Sequence, residues 1–329
     1  MSAERRRRTR FMPDLSVALG VGWLALILSQ PPVCGAQDIV VVPQQPKAAA
    51  PSEMEIYLRA RSVVDLTREE LLQTYAEELK DLEFDEDPQE LESLLKRVGD
   101  NVAVFFRDFP NTVSKEQVRR ERLRIDGRVE DSVTQNYYYS VYMGSGSWEE
   151  GRTDSSGRDI PHQRLPGRSF LTSGFTSATL IFHPKHQFGG RFRYLGRQRS
   201  EPHAQVIAFA QKPGVSDLNC TLISDLSPYP ARLLYQGLAW VDADSAQIVR
   251  LSEGLLASRS DVFLSAANAD IRFGEVRFQS VDASFWLPQE VLVTMLFYGE
   301  RFRNRHRYSD YQVATVAVEQ KIAPPVVKK

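Results

Sequence analysis

The densest chemical pattern in this chain is Arg301-Phe-Arg-Asn-Arg-His-Arg307, in which Arg301, Arg303, Arg305 and Arg307 recur at every second residue. On an extended strand that spacing puts four guanidinium groups on one face and Phe302 and His306 on the other. Arg191, Arg193, Arg197 and Arg199 repeat the pattern, and Arg120, Arg122 and Arg124 form a shorter row. Neighbouring rows would make an anion-docking surface for phosphate or carboxylate, which guanidinium binds bidentately. The competing reading is a solvated sheet face whose arginines pair with acids on adjacent strands, and the chain offers 42 acids against 41 Lys and Arg.

Other chemistry-bearing groups point to simpler roles. His183 and His186 have the i,i+3 spacing of two ligands on one helix face, but Pro184 ends a helix there and no acid or cysteine lies nearby in sequence. Asp242 and Asp244 lack the further oxygens and the glycine of a calcium loop, and turn formation accounts for them. Gly144-Ser-Gly-Ser147 opens like a dinucleotide fingerprint but has Glu149 at the third glycine position, so it reads as a turn. Gly-x-Ser-x-Gly, His-Glu-x-x-His, the phosphate-binding Gly-x-x-x-x-Gly-Lys and Cys-x-x-Cys are all missing. No catalytic residue, metal or cofactor is therefore assigned, and the chain is not expected to be an enzyme. An exported hydrolase stands third, with no nucleophile motif to support it.

The elements that must position these groups begin after an export signal. Arg5, Arg6, Arg7, Arg8 and Arg10 precede an apolar run from Leu15 to Leu28, and Cys34-Gly-Ala36 suits cleavage before Gln37. That run is shorter than the ~20 residues a spanning helix needs. A cleaved signal over 1–36 is the first reading, giving a periplasmic or secreted protein. An uncleaved anchor that holds the chain on the inner membrane is the alternative. Cleavage removes five arginines, Glu4 and Asp14, a net +3, and takes the overall charge from −1 to −4. It also leaves Cys220 as a lone thiol, of a kind usually buried and inert. Export and this balance argue against nucleic acid as a partner. Asn219-Cys-Thr221 would be a glycosylation acceptor only in a eukaryotic secretory pathway.

Residues 37–64, with prolines and an alanine run, read as a flexible linker. One domain is expected over 65–322, helical across 67–109 and mainly β across 115–322, followed by a frayed tail at 323–329. Thr67 with Glu70 forms a capping box ahead of the stripe Leu71, Leu72, Tyr75, Leu79, Leu82. Asp87 as N-cap with Pro88 starts a second helix, whose 3.6-residue period runs from Leu91 to Phe109 until Pro110 stops it. Hairpins are predicted around Asp126-Gly127, around 199–202 and around Asp242-Ala-Asp-Ser245, then a run through 271–280, 290–298 and 305–320. A short helix is expected over Gly174–His183.

Two strand segments, Tyr137–Met143 and Val291–Tyr298, are apolar on both alternating sets. A sheet with one wet face should alternate, so the amphipathic helices are expected to cover the second face. The predicted fold class is α+β: a strongly curved antiparallel sheet, a half-open barrel, with the N-terminal and inserted helices on its concave side. Tyr139, Val293, Met295 and Phe297 are candidate liners of an apolar cavity there.

Exported helices, a long antiparallel run, an inserted helix and the hairpin Gly237-Leu-Ala-Trp-Val-Asp242 with Ile248-Val-Arg-Leu251 together resemble a superfamily of bacterial envelope carriers. It includes the lipoprotein chaperone LolA, the receptor LolB and the sigma-factor regulator RseB, and the resemblance extends over Thr67–Ile322. The resemblance implies an unclosed barrel covered by helices that binds acyl chains in its concavity. The expected function is a non-enzymatic carrier or sensor for an apolar or lipidated ligand, with an acyl chain, a lipoprotein or an envelope protein as partner. The alternative is a docking module of the same fold with a filled core, contacting a protein or the membrane periphery through its arginine face.

Overall fold

A computed structural model describes residues 52–85, 87–144, 147–160, 172, 174–199, 203–218, 220–222 and 231–314. The signal at 1–36, the linker up to residue 51, Asn219 and the tail at 323–329 lie outside the described residues.

Order begins earlier than the expected linker allows. Helix α1 (Glu53–Leu58) starts at a Ser52–Glu55 capping box, and Tyr57 is buried with its hydroxyl donating to the Arg232 carbonyl at 2.9 Å. Arg259, itself buried, bonds the Tyr57 hydroxyl at 3.2 Å and pairs with Glu53 and Asp261. Residues 52–64 are thus part of the body, because a capped turn and a buried guanidinium anchor them. A 3-10 turn (Val63–Asp65) and helix α2 (Arg68–Thr74) follow, the latter on the predicted Thr67–Glu70 box. Helix α2 is shorter than its apolar stripe; Leu79 and Leu82 are buried from a turn and from strand β1 (Leu82–Phe84). Helix α3 (Pro88–Asp108) has the predicted Asp87 cap and Pro88 start, and buries Leu94, Val98 and Val102.

The remaining strands are β2 (Thr112–Leu123), β3 (Val129–Gly144), β4 (Ser147–Thr153), β5 (Gly190–Gln198), β6 (Ala204–Gln211), β7 (Cys220–Leu222), β8 (Ala231–Leu233), β9 (Tyr235–Asp242), β10 (Ile248–Leu255), β11 (Leu264–Arg277), β12 (Ser284–Phe297) and β13 (Glu300–Val313). The inserted helix is a 3-10 turn, Ala178–Phe182. Gly127 closes the β2–β3 hairpin at φ 81°, a conformation that side chains with a Cβ disfavour. Eleven strands form one antiparallel sheet in the order β1-β5-β6-β9-β10-β11-β12-β13-β2-β3-β4, while β7 and β8 pair separately.

Strand spacing of ~4.8 Å would make eleven flat strands nearly 50 Å wide. On one face the inserted segment nevertheless reaches both ends of that order: Thr176 Oγ1 lies 3.5 Å from the Tyr139 hydroxyl of β3, and the ring of Phe182 lies 5.4 Å from that of Phe192 of β5. The sheet therefore curls around this face, the inner one, and stays unclosed because β1 and β4 are its edges. Helix α3 and Phe182 pack on the inner face.

The other helices do not. Val63, Leu71, Leu79 and Leu82 pack with Leu195, Val206, Leu238 and Trp240 in a second cluster on the outer face of β5, β6 and β9. The expectation that both helices fill the concavity is corrected: the helical segments divide between the two faces. Every residue of β6 is buried for that reason. On β3 the outer aromatics Tyr138 and Tyr142 stay exposed, and on β12 Leu292 and Leu296 are half-buried. Being apolar on both sides there does not require a cover. Among the described residues no helix is long and apolar enough to cross a membrane.

Candidate functional site

Alternation on β3 and β12 places Tyr139, Val293, Met295 and Phe297 on the inner face. Tyr139 and Val293 belong to the cluster under α3, whereas Phe297 packs lower down with Leu233, Leu264 and Phe302; Met295 touches both. The four share a surface but no common pocket. The cavity between α3 and the sheet, edged by Asn101, Phe105, Thr176, Phe273 and Trp286, is about 30 Å³. That holds a water molecule and falls well short of the several hundred Å³ of a ligand pocket.

The roof rests on rings and a few polar ties. Phe105, Phe109 and Phe285 meet at centroid distances of 4.9–6.1 Å. Arg97 donates to the Ala243 and Asp244 carbonyls at 3.1 and 2.9 Å, and Asn101 to the Ser245 carbonyl at 2.8 Å. The β9–β10 turn, predicted from Asp242-Ala-Asp-Ser245, is thus the dock for α3.

Beside this apolar surface lies a polar centre that sequence reasoning missed. The Glu116 carboxylate of β2 accepts from Arg152 Nε at 2.5 Å and Nη2 at 2.8 Å, from Tyr308 OH at 2.8 Å, and lies 2.8 Å from His306 Nδ1. Glu116, Arg152 and His306 side chains are wholly buried. Burial alone would raise the Glu116 pKa; the Arg152 hydrogen bonds and charge outweigh it, His306 adds to them, and the result is about 2. Burial lowers the His306 pKa, Glu116 opposes that and Arg152 reinforces it. Tyr139 donates to Glu150 and sits under the Arg152 guanidinium at 5.1 Å.

Thr172 Oγ1 is 3.2 Å from His306 Nε2, which completes a hydroxyl–imidazole–carboxylate series. Such a series activates a hydroxyl when the carboxylate stabilises an imidazolium. Here Arg152 takes up the carboxylate charge, while burial, reinforced by Arg152, depresses the imidazole, and the group ties together β2, β4 and β13. Its members are 36 and 190 residues from Glu116, and only strand pairing brings them together.

Strand β13 carries the arginine row as predicted. Arg301, Arg305 and Arg307 are exposed on the outer face, with Phe302, His306 and Tyr308 buried opposite. Arg303 pairs with Glu121 at 2.5 Å and Arg307 with Glu290 at 3.0 Å; Arg301 and Arg305 form no ion pair among the described residues. The other rows are divided between the two faces. Arg120 turns inward to Gln135, Arg191 pairs with Asp65 on the outer face, and a register shift between Tyr194 and Gly196 sends Arg197 toward Glu90 of α3. The three rows form no common surface.

Two smaller readings change. His186 gains an acid from afar, its Nδ1 lying 2.9 Å from Asp217, and the ring of His183 is 5.6 Å away, yet no metal-holding group of three is found among the described residues. Cys220 is exposed rather than buried, with Sγ 3.6 Å from the Tyr235 hydroxyl, because β7 lies outside the main sheet.

No family model matches the chain, and no curated protein does. Solved structures similar to it include two of bacterial origin. One is a domain from Vibrio parahaemolyticus described as a putative outer membrane lipoprotein-sorting protein, with 11% identity, TM-score 0.36, and coverage of 69% of this chain and 95% of that one. The other is a DUF1329 family protein from Desulfovibrio piger, with 9% identity, TM-score 0.34, and coverage of 68% and 92%. The strand order and register of the eleven-stranded sheet define the fold.

Proposed function

We propose that this chain is a non-enzymatic envelope protein, a carrier or sensor that takes an apolar or lipidated ligand between α3 and the inner face of its curled sheet. The observation that supports this reading is the roof: amphipathic α3, with the Ala178–Phe182 turn beside it, covers a continuous apolar surface on which Tyr139, Val293 and Met295 stand, and three bonds to carbonyls tie α3 to the β9–β10 turn. A cavity of about 30 Å³ corresponds to a closed state. The ligand enters as α3 lifts from the β9–β10 turn, and acyl carbons replace the phenylalanine contacts at ~0.8 kcal/mol per CH₂ buried.

A second reading, docking on an anionic membrane surface, is favoured by one observation. Arg301 and Arg305, with no ion pair among the described residues, stand beside the β2–β3 hairpin, whose tip residue Ile125 is 88% exposed. Both readings are tested by titrating delipidated protein with a fluorescent fatty acid. Saturable uptake that a disulfide from Asn101→Cys and Ser245→Cys blocks, and reduction restores, is the expected result. No uptake, joined to salt-sensitive flotation with phosphatidylglycerol vesicles that Arg301→Ala and Arg305→Ala abolish, transfers the function to the outer face.

A further inference from the structure

A groove of about 600 Å³ crosses the outer face of β12, β13, β2 and β3, on the side of the sheet away from the apolar cluster. Its size falls in the range of small-ligand sites. Four strands at ~4.8 Å spacing put its ends about 14 Å apart, the span of a short oligosaccharide.

Two irregularities shape it. The β11–β12 register slips between Arg272 and Phe273, opposite Gln289, and the β13–β2 register slips between Ser309 and Gln312. Within the second slip Asp310 has φ 53°, and its carboxylate meets Lys115 Nζ at 2.8 Å. Bulges of this kind bend a strand and re-aim side chains, and they recur beside functional sites.

The chemistry of the lining selects among ligands. Lys115 is balanced by Asp310, and Arg307 by Glu290 at 3.0 Å, so the groove carries no surplus charge for an anion. Gln117 Nε2 donates to Asn136 Oδ1 at 3.3 Å. That bond leaves the Gln117 carbonyl and the Asn136 amide hydrogens to face a ligand, a matched acceptor and donor on planar groups. Tyr138, 44% exposed, adds an aromatic surface among them. An aromatic plate with neutral amides and self-compensated ion pairs suits a molecule with a C–H face and a rim of hydroxyls.

We propose that this groove binds a neutral oligosaccharide, with Tyr138 stacking on a pyranose ring and Gln117 and Asn136 bonding its hydroxyls. The site lies on the opposite face of the sheet from the acyl surface and stands or falls independently of it.

The test is calorimetric titration of the full chain with chitotriose and with maltotriose at millimolar concentration. Saturable binding of one of them is expected, insensitive to salt because the ligand is neutral. Tyr138→Ala should weaken it about tenfold and Gln117→Ala severalfold, with thermal midpoints unchanged because both residues are exposed. Fatty acid should not compete. No binding of either sugar overturns the proposal, as does binding that survives Tyr138→Ala. Binding that salt abolishes also overturns it, and so does tighter capture of an unrelated tripeptide by the same residues.

Discussion

Glu253 sits on β10 opposite Gly237 of β9 and Ala269 of β11, on the inner face with Leu251. Among the described residues no side chain or backbone amide bonds its carboxyl. Burial pushes its pKa up to about 7 from an ordinary 4.5. The folded chain therefore keeps a proton that the unfolded chain releases between pH 4.5 and 7, and stability falls as pH rises through that window. Glu253→Gln should leave stability at pH 4 nearly unchanged and raise it at pH 8 by about 2 kcal/mol, read from urea midpoints. Equal effects at both pH values would mean that Glu253 has a partner. Glu116 shows the opposite case: its carboxylate is wholly buried, yet Arg152 holds it charged.

At the scale of elements, the contact between α3 and the inserted 3-10 turn depends on Gly99. A Cβ there would lie 2.7 Å from Gln187 Nε2 and 3.1 Å from the Phe182 carbonyl oxygen. Gln187 uses that same nitrogen to bond the Leu95 and Phe182 carbonyls at 3.2 and 2.8 Å. Alanine normally stabilises a helix interior by up to ~1 kcal/mol over glycine. Here Gly99→Ala should instead destabilise by about 1–2 kcal/mol, since it displaces two partly buried hydrogen bonds, and a raised melting temperature would contradict that packing. The helix itself was legible from Asp87, Pro88 and Pro110, because caps answer to backbone groups a few residues away. Its contact was not, because Gln187 lies 92 residues from Leu95.

Across the whole molecule, protection should follow how many faces of each strand are covered. Strands β6 and β9 lie between α3 on one side and α2 with the Val63–Asp65 turn on the other, whereas residues 129–134 of β3 are all exposed. Amide hydrogen exchange should be slowest in Ala204–Gln211 and Tyr235–Asp242 and orders of magnitude faster in the first half of β3. Equal protection in the two regions would contradict that division of the helices.

Read alone, the sequence determined whatever depends on short-range physics: the capping boxes, the stop at Pro110, the Asp126-Gly127 hairpin, and one face for Arg301 to Arg307. It also placed Val293, Met295 and Phe297 on one alternating set of a single strand, without saying which face points inward. Long-range pairing settles which face each helix covers, that about 30 Å³ of space remains at the edge of α3, and that Glu116, Arg152 and His306 meet. Those outcomes depend on sheet curl, bulges and pairings between residues up to about 190 apart. Twist accumulates strand by strand, so a small local bulge changes what lies opposite at the far edge, and no short window of residues encodes that sum.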